Sequence, residues 1–359
     1  MRDARSGPGR RPVVTIITPT FNHEAFVGEA LRSAIAQTYS AWELVVVDDG
    51  STDRTVSIVR SFDDPRITLV KRPHRGLSGL GEAYRAALDA SSGSLVAVLE
   101  GDDRWPETKL EIQVPDFTDP QVVLSYGTAG LIDDRGCMFG LAEPAIVPAV
   151  RDNDPLGSIL PSLIEGNPIV SPTVVVRRAA LERIGGFWQP PGVPYLDHPT
   201  WLKLALEGRF RHHAEVCGYW RRHPAQYTST SVDAADAADP SGYVMAIIEG
   251  AGPARGEPGP SNTAMDIRRR NADRVLLNRW RLTLLSGDSR SVLATFGRLI
   301  GTRRARFVAA ACAGLGSWVL GSDLEWAQRR RRRIGWPSRA HLRSRAHRDR
   351  GRRAPAGKT

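Results

Sequence analysis

The chain has 359 residues and a formal net charge of +10, with 41% hydrophobic and 25% charged residues. That length is too great for one small core and calls for a main domain plus an addition, and the composition is that of an ordinary soluble globular protein. Much of the positive charge lies from Arg329 onward, where Arg329–Arg333 form an unbroken run, so the first two thirds are close to neutral and do not read as a basic nucleic-acid-binding domain.

Met1 to Pro12 is basic and polar with no apolar core, so no signal peptide is expected there. Val13 to Ile17 is a β-branched run that reads as a buried strand, closed by Thr18-Pro19-Thr20. Asn22 is placed to cap the next segment, where Phe26, Ala30, Leu31, Ala34 and Ile35 recur at helical spacing. Leu44 to Val47 is a second buried strand, ending in Asp48-Asp49-Gly50-Ser51-Thr52-Asp53. Gly50 permits a turn there, and Ser51 or Thr52 caps a helix through Val59. Ile67 to Val70 is a third strand, Leu80 to Ala90 a helix, and Leu95 to Leu99 a fourth strand, followed by Glu100-Gly101-Asp102-Asp103. Strands spaced by helices predict an α/β fold with a parallel, doubly wound sheet.

In such a sheet Asp48 and Asp49 close one strand, Glu100 to Asp103 follow another, and both ends face one rim with Pro19-Thr20 at a third. Crowded carboxylates repel and need a cation or strong hydrogen bonds. Hard oxygen ligands at strand ends suit Mg²⁺ or Mn²⁺ carrying a phosphate. The Glu100 stretch alone reads as a solvated acidic turn; the second acidic strand end reverses that reading. No Walker P-loop occurs, and no Gly-x-Gly-x-x-Gly follows the first strand. A nucleotide held through a metal is what remains.

From Val122 to Val150 the pattern shifts to short strands and turns, with joints at Pro144, Pro148 and Pro155. Ile169 to Val176 reads as a strand, followed by a helix from Arg177 and the turn Ile184-Gly185-Gly186-Phe187. Trp201, Leu202, Leu204 and Ala205 bury one helical stripe, with Asp197 as its N-cap and Pro199 in the first turn. Tyr219-Trp220-Arg221-Arg222-His223 ends the domain. Residues 231–261 read as a linker interrupted by an apolar piece at Tyr243 to Ile248, 262–328 as a helical extension, and 329–359 as a disordered arginine-rich tail. The apolar run Phe307 to Leu320 is shorter than the roughly 20 residues of a spanning helix, so no transmembrane segment is expected.

Thr18-Pro19-Thr20-Phe21-Asn22, Gln37-Thr38-Tyr39, Val47-Asp48-Asp49-Gly50-Ser51-Thr52-Asp53 and Glu100-Gly101-Asp102-Asp103-Arg104-Trp105 together resemble glycosyltransferase family 2, the inverting GT-A enzymes that use nucleotide-diphospho-sugars. The resemblance spans about residues 12–230 and implies a GT-A, Rossmann-like domain there, with residues 1–11 a basic tail. It implies that Pro19, Thr20, Asn22, Asp48 and Asp49 line the nucleotide pocket and that Asp102, assisted by Asp103 and Glu100, binds Mn²⁺ or Mg²⁺ at the diphosphate. Glu100 stands where the family commonly has aspartate; its longer arm reaches toward the ribose or a metal-bound water. By the same resemblance Asp197 is the general base, Arg221 contacts the diphosphate and His223 supplies a third metal ligand. A pocket edge closed by the aromatic and arginine side chains of the Tyr219–His223 segment is the structural reading beside it. His74 lies where the family often has an Asn-x-Gly turn; as a loop residue it reads as a surface histidine.

The expected function is inverting transfer of a sugar, UDP-linked by preference, to a hydroxyl of a glycan, glycoconjugate or lipid-linked acceptor in cell-envelope or polysaccharide biosynthesis. The alternatives are a catalytically weak transferase-like scaffold and a nucleic-acid-binding protein acting through the tail. Cys137, Cys217 and Cys312 form neither a zinc spacing nor a disulfide framework, which predicts a reducing cytoplasm. Apolar segments beside arginines after Asn262 read either as a small helical appendage packed on the transferase domain or as a peripheral platform on an anionic membrane surface. No specific nucleic acid is expected as partner.

Overall fold

The structure, a computed structural model, describes residues 13–223 together with Gln226, Tyr243, Val244 and Ile247. Expectations for the N-terminal tail, the helical extension, the arginine-rich tail and the membrane surface lie outside those residues. Within the described residues an eight-stranded sheet runs β3-β2-β1-β4-β7-β5-β6, with β8 also paired to β5. Strands β1 (Val14–Thr20), β2 (Trp42–Asp48), β3 (Ile67–Lys71) and β4 (Leu95–Val98) are parallel. Short β7 (Val175–Arg177) runs antiparallel between β4 and β5 (Val122–Ile132), edge strand β6 (Met138–Ala142) is antiparallel to β5, and β8 (Arg209–Arg221) is parallel to it.

Continuous apolar runs form β1, β2 and β4 because both faces of the sheet are covered. Ile16, Leu44, Val46 and Ala97 pack on one side with the stripe Val27, Ala30, Leu31 and Ala34 of α1 (Val27–Ile35). Ile17, Val45, Val47 and Val98 face the other side, where Tyr84 of α3 (Leu80–Asp89) and Trp201 of the helix at Asp197–Leu204 fill the core. Tyr243, Val244 and Ile247 join this second cluster, so the apolar piece within the expected linker packs on the domain. The other helices are α2 (Thr55–Arg60), α4 (Lys109–Gln113), α5 (Leu160–Glu165) and α6 (Arg178–Arg183), and the Asp197–Leu204 helix is α7.

Four local expectations are corrected. The segment from Val122 is one long, fully buried strand, since β5 has cover on both faces and neighbours on both edges. Residues 169–176 do not form one strand: Pro172 lacks an N–H, and Ser171–Thr173 make a 3₁₀ turn ahead of β7. Asn22 does not cap α1; it takes a left-handed φ of 53° and bonds to the loop after β2 instead. Helix α2 is led in by Asp53, whose Oδ1 accepts the Thr55 N–H at 2.9 Å, rather than by Ser51 or Thr52.

Candidate active site

The parallel register brings Thr20 opposite Asp48 and Ile17 opposite Val98, so the loops after β1, β2 and β4 leave the sheet at one rim. They are stitched together there. Asp49 donates its N–H to the Thr20 carbonyl at 2.9 Å, and Gly101 donates to the Pro19 carbonyl at 3.1 Å. Asn22 takes the Thr52 N–H on Oδ1 at 2.8 Å and gives its own N–H to Ser51 Oγ at 2.9 Å. Two glycines make the close approach possible. Gly50 has φ +78°, and a Cβ there would lie 2.7 Å from the His74 nitrogen. A Cβ on Gly101 would sit 2.7 Å from both Thr20 Oγ1 and His23 Nδ1.

This rim holds a concentration of buried polar atoms with no hydrogen-bond partner among the described residues: Thr20 Oγ1, His23 Nδ1, Asp48 Oδ1, Asp49 Oδ1 and Asp103 Oδ2. Such groups cost free energy unless something satisfies them, so their clustering marks a place built for a polar ligand.

Glu100, Asp102 and Asp103 each offer an oxygen within 4.8 Å of the others. His223 comes from the chain after β8 to put Nε2 3.1 Å from Asp102 Oδ2. Burial pushes Glu100 up to about 8, aided by the charges of Asp102 and Asp197. Burial likewise raises Asp103, with Asp102 and Glu100 adding to it. Burial works to raise Asp102 too, but His23 and the hydrogen-bonded His223 outweigh it and hold it low. One ionised carboxylate flanked by two that resist ionisation is a site short of positive charge. Three hard oxygen donors, one orphaned oxygen on Asp103 and an imidazole fit Mn²⁺ or Mg²⁺.

Asp197 is the first residue of α7 rather than its N-cap, which is Leu196. Its Oδ2 accepts Asn167 Nδ2 at 2.5 Å and Ser171 Oγ at 3.3 Å. Burial raises the Asp197 carboxyl against the pull of the His198 N–H and of these two side chains. Its charge bears on both Glu100 and Tyr84, which links it electrostatically to the acidic loop after β4. Tyr84 itself is buried, donates to Glu100 Oε1 at 3.4 Å, and is held well above its ordinary pKa by burial and these carboxylates. His198 turns away, bonding Tyr243 and the Leu163 carbonyl at 2.6 Å each.

Arg221 does not occupy the position expected of a diphosphate contact. It is fully buried, its Nε donates to the Asp102 carbonyl at 2.7 Å, Nη1 to the Asp133 carbonyl at 2.9 Å, and Nη2 pairs with Glu29. These donors tie the acidic loop to α1 and to the turn after β5. The half-buried Arg222, next along, instead feels the charges of Asp103 and Asp102. His23, Tyr84, Asn167 and Ser171 were not singled out by sequence. Tyr84 reads as one more residue of a buried helical stripe, and the other three sit in loops whose partners lie far along the chain.

Residues 15–155 match the sequence profile described as glycosyl transferase family 2. The glucosyltransferase WfgD of Escherichia coli, a UDP-Glc:alpha-D-GlcNAc-diphosphoundecaprenol beta-1,3-glucosyltransferase, is 33% identical over 132 residues, 37% of this chain and 51% of that protein. The chain thus spans about half the length of that relative. The putative teichuronic acid biosynthesis glycosyltransferase TuaG of Bacillus subtilis is 27% identical over 205 residues, 55% of this chain and 74% of that protein. Among solved structures, the mannosyltransferase PcManGT from Pyrobaculum calidifontis, in complex with GDP-Man and Mn²⁺, superposes with a TM-score of 0.54 at 22% identity, covering 92% of this chain and 88% of that one. That likeness shows the GT-A fold.

Proposed function

Because the chain carries a family 2 glycosyltransferase domain, we propose that it transfers a sugar, with inversion, from a nucleotide-diphospho-sugar to a hydroxyl of a glycan or lipid-linked acceptor in cell-envelope polysaccharide synthesis. The observation that carries this reading is the electrostatic link between the oxygen cluster Glu100-Asp102-Asp103 and Asp197, two acidic sites on separate parts of the chain. A UDP-sugar is favoured, since the WfgD relative is named for UDP-Glc. That relative's diphosphoundecaprenol acceptor supports a lipid-linked acceptor here.

Asp102 and Asp103, with Glu100 and His223 beside them, would hold a divalent cation, which would supply neutralising charge for the departing diphosphate. The loops after β1 and β2 take the nucleoside, Pro19 and Thr20 on one wall and Asp48 and Asp49 on the other. Asp197 takes the proton from the acceptor hydroxyl as its oxygen attacks the anomeric carbon from the face opposite the leaving group. The Asn167 and Ser171 donors hold Asp197 Oδ2, which orients the other oxygen for that proton. Direct displacement inverts the anomeric centre. No helix among the described residues is long and apolar enough to cross a membrane. The apolar stretches beside arginines after residue 262 are the proposed contact with a membrane that carries a lipid-linked acceptor.

The test is a panel of nucleotide-sugars assayed for metal-dependent release of the nucleoside diphosphate, with a hydroxyl acceptor and with water. Release from one donor that requires Mn²⁺ or Mg²⁺ and is lost in Asp102→Asn is the expected result. No turnover of any donor, with or without metal, overturns it.

A further inference from the structure

His74 offers its Nδ1 to two oxygens of one residue, the Asp49 carbonyl and Asp49 Oδ2, both at 2.9 Å. Its ring stacks on Phe21, with centroids 3.9 Å apart and planes 14° from parallel. Stacking sets the plane of the imidazole, and the plane sets the direction of its N–H. Gly50 draws the two loops together, leaving no room for a Cβ against the His74 nitrogen. One oxygen of Asp49 is therefore held, while the other, Oδ1, is buried and has no partner among the described residues.

We propose that His74 is a positioning residue for donor selection: it pins Asp49 so that Oδ1 alone presents an acceptor to the ring N–H of the donor's base. This rests on the reading of the β1–β2 rim as the nucleoside pocket. A fixed carboxylate oxygen welcomes a base whose edge carries a ring N–H, as uracil and guanine do. It repels one whose corresponding ring nitrogen is an acceptor, as in cytosine and adenine, because two lone pairs then face each other without a proton. A freely rotating Asp49 has an alternative: it can turn away from the wrong base and meet water. The pin, rather than the carboxylate itself, then supplies much of the rejection.

The test is calorimetric binding of UDP, GDP, CDP and ADP, with Mn²⁺ present, to the full chain. It compares wild type, His74→Phe, His74→Ala, Asp49→Asn and the double variant His74→Phe/Asp49→Asn. Phenylalanine keeps a flat ring for Phe21 and deletes only the donor, so folding is preserved where alanine opens a gap. The expected result is that wild type prefers UDP or GDP over CDP. His74→Phe weakens the preferred nucleotide about tenfold, the scale of one charge-assisted hydrogen bond. It also narrows the preference over CDP, and it adds nothing once Asp49 is asparagine. Unchanged affinity and preference in His74→Phe overturn the inference, as do losses that add in the double variant, because His74 would then act apart from Asp49. Either result leaves wild-type nucleotide binding, and so the donor reading, intact. Wild type that binds none of the four overturns both.

Discussion

Arg221 donates its main-chain N–H to Asp103 Oδ1 at 2.8 Å. From the same residue the guanidinium reaches the Asp102 carbonyl, the Asp133 carbonyl and Glu29. The last residue of β8 thus ties the acidic loop after β4 to α1 and to the turn after β5, and Arg104 binds the other Glu29 oxygen at 2.8 Å. Removing one member of a buried pair leaves the rest uncompensated. Arg221→Met is expected to cost about 3 kcal/mol in urea unfolding and to weaken the Mn²⁺-induced rise in Tm, whereas Arg222→Met, beside it, should alter Tm much less.

Asp197→Asn keeps the shape of the helix start and deletes the proposed base. We expect kcat to fall by about 10²–10⁴-fold, the range for loss of general-base catalysis, with UDP affinity within about twofold of wild type. Turnover at the wild-type rate would remove Asp197 from the chemistry.

The same carboxyl sets a pH limit. The base works only when ionised, and burial raises its pKa. Activity at saturating donor and acceptor should therefore fall as pH drops through that raised value, placing the acid limb above the ordinary carboxylate range. A rate that stays flat down to about pH 4, the unperturbed value for such groups, would contradict the assignment.

Asp102 is the carboxylate of the cluster that stays ionised, so the cation should depend on it most. Asp102→Asn is expected to abolish the Mn²⁺-dependent rise in Tm, and His223→Ala to reduce it. Neither should change the melt in chelator by more than a few degrees, and calorimetric titration of Mn²⁺ checks both.

Lys109 carries a second pH signature. It is fully buried, bonded to Gln113 Oε1 at 2.5 Å, and burial lowers it from 10.5 to about 7. Between those values the unfolded chain holds a proton that the folded chain lacks, so this group makes stability rise with pH, by at most about 1.4 kcal/mol per unit. Glu100, raised to about 8, works the other way up to that pH, and Cys217, pushed up to about 11, does so above 9. The difference between wild type and Lys109→Met removes the Glu100 contribution, and keeping the range at or below pH 9 limits that of Cys217, whose thiol lies close enough to feel the Lys109 charge. Plotted from pH 7 to 9, the wild-type advantage should climb; a flat difference would mean that Lys109 is charged inside the fold.

Strand ends and acidic loops were readable along the chain because each is local. A β-branched run that stops at Thr18-Pro19-Thr20 or at Asp48-Asp49 announces its own exit, and parallel pairing then puts those exits on one rim. The run Val122 to Ile132 does not announce a single strand, because Gly127 and Gly130 have the character of turn residues until β8 lies against them. Arg221 shows a deeper limit. A guanidinium two residues before His223 has the same sequence signature whether it meets a diphosphate or a glutamate, and only the approach of Glu29 from α1 decides between them.

Short-range patterning by itself therefore determined which residues form strands, where those strands end, and that carboxylates gather there. The tertiary structure alone decided which oxygens are engaged: Oδ2 of Asp49 is taken by His74 and Oδ2 of Asp197 by Asn167, while Oδ1 of Asp49 has no partner among the described residues. The reason is physical. A hydrogen bond acts over about 3 Å, and the donors that claim these oxygens come from loops tens of residues away, so their meeting is a property of the folded sheet and not of any stretch of the chain.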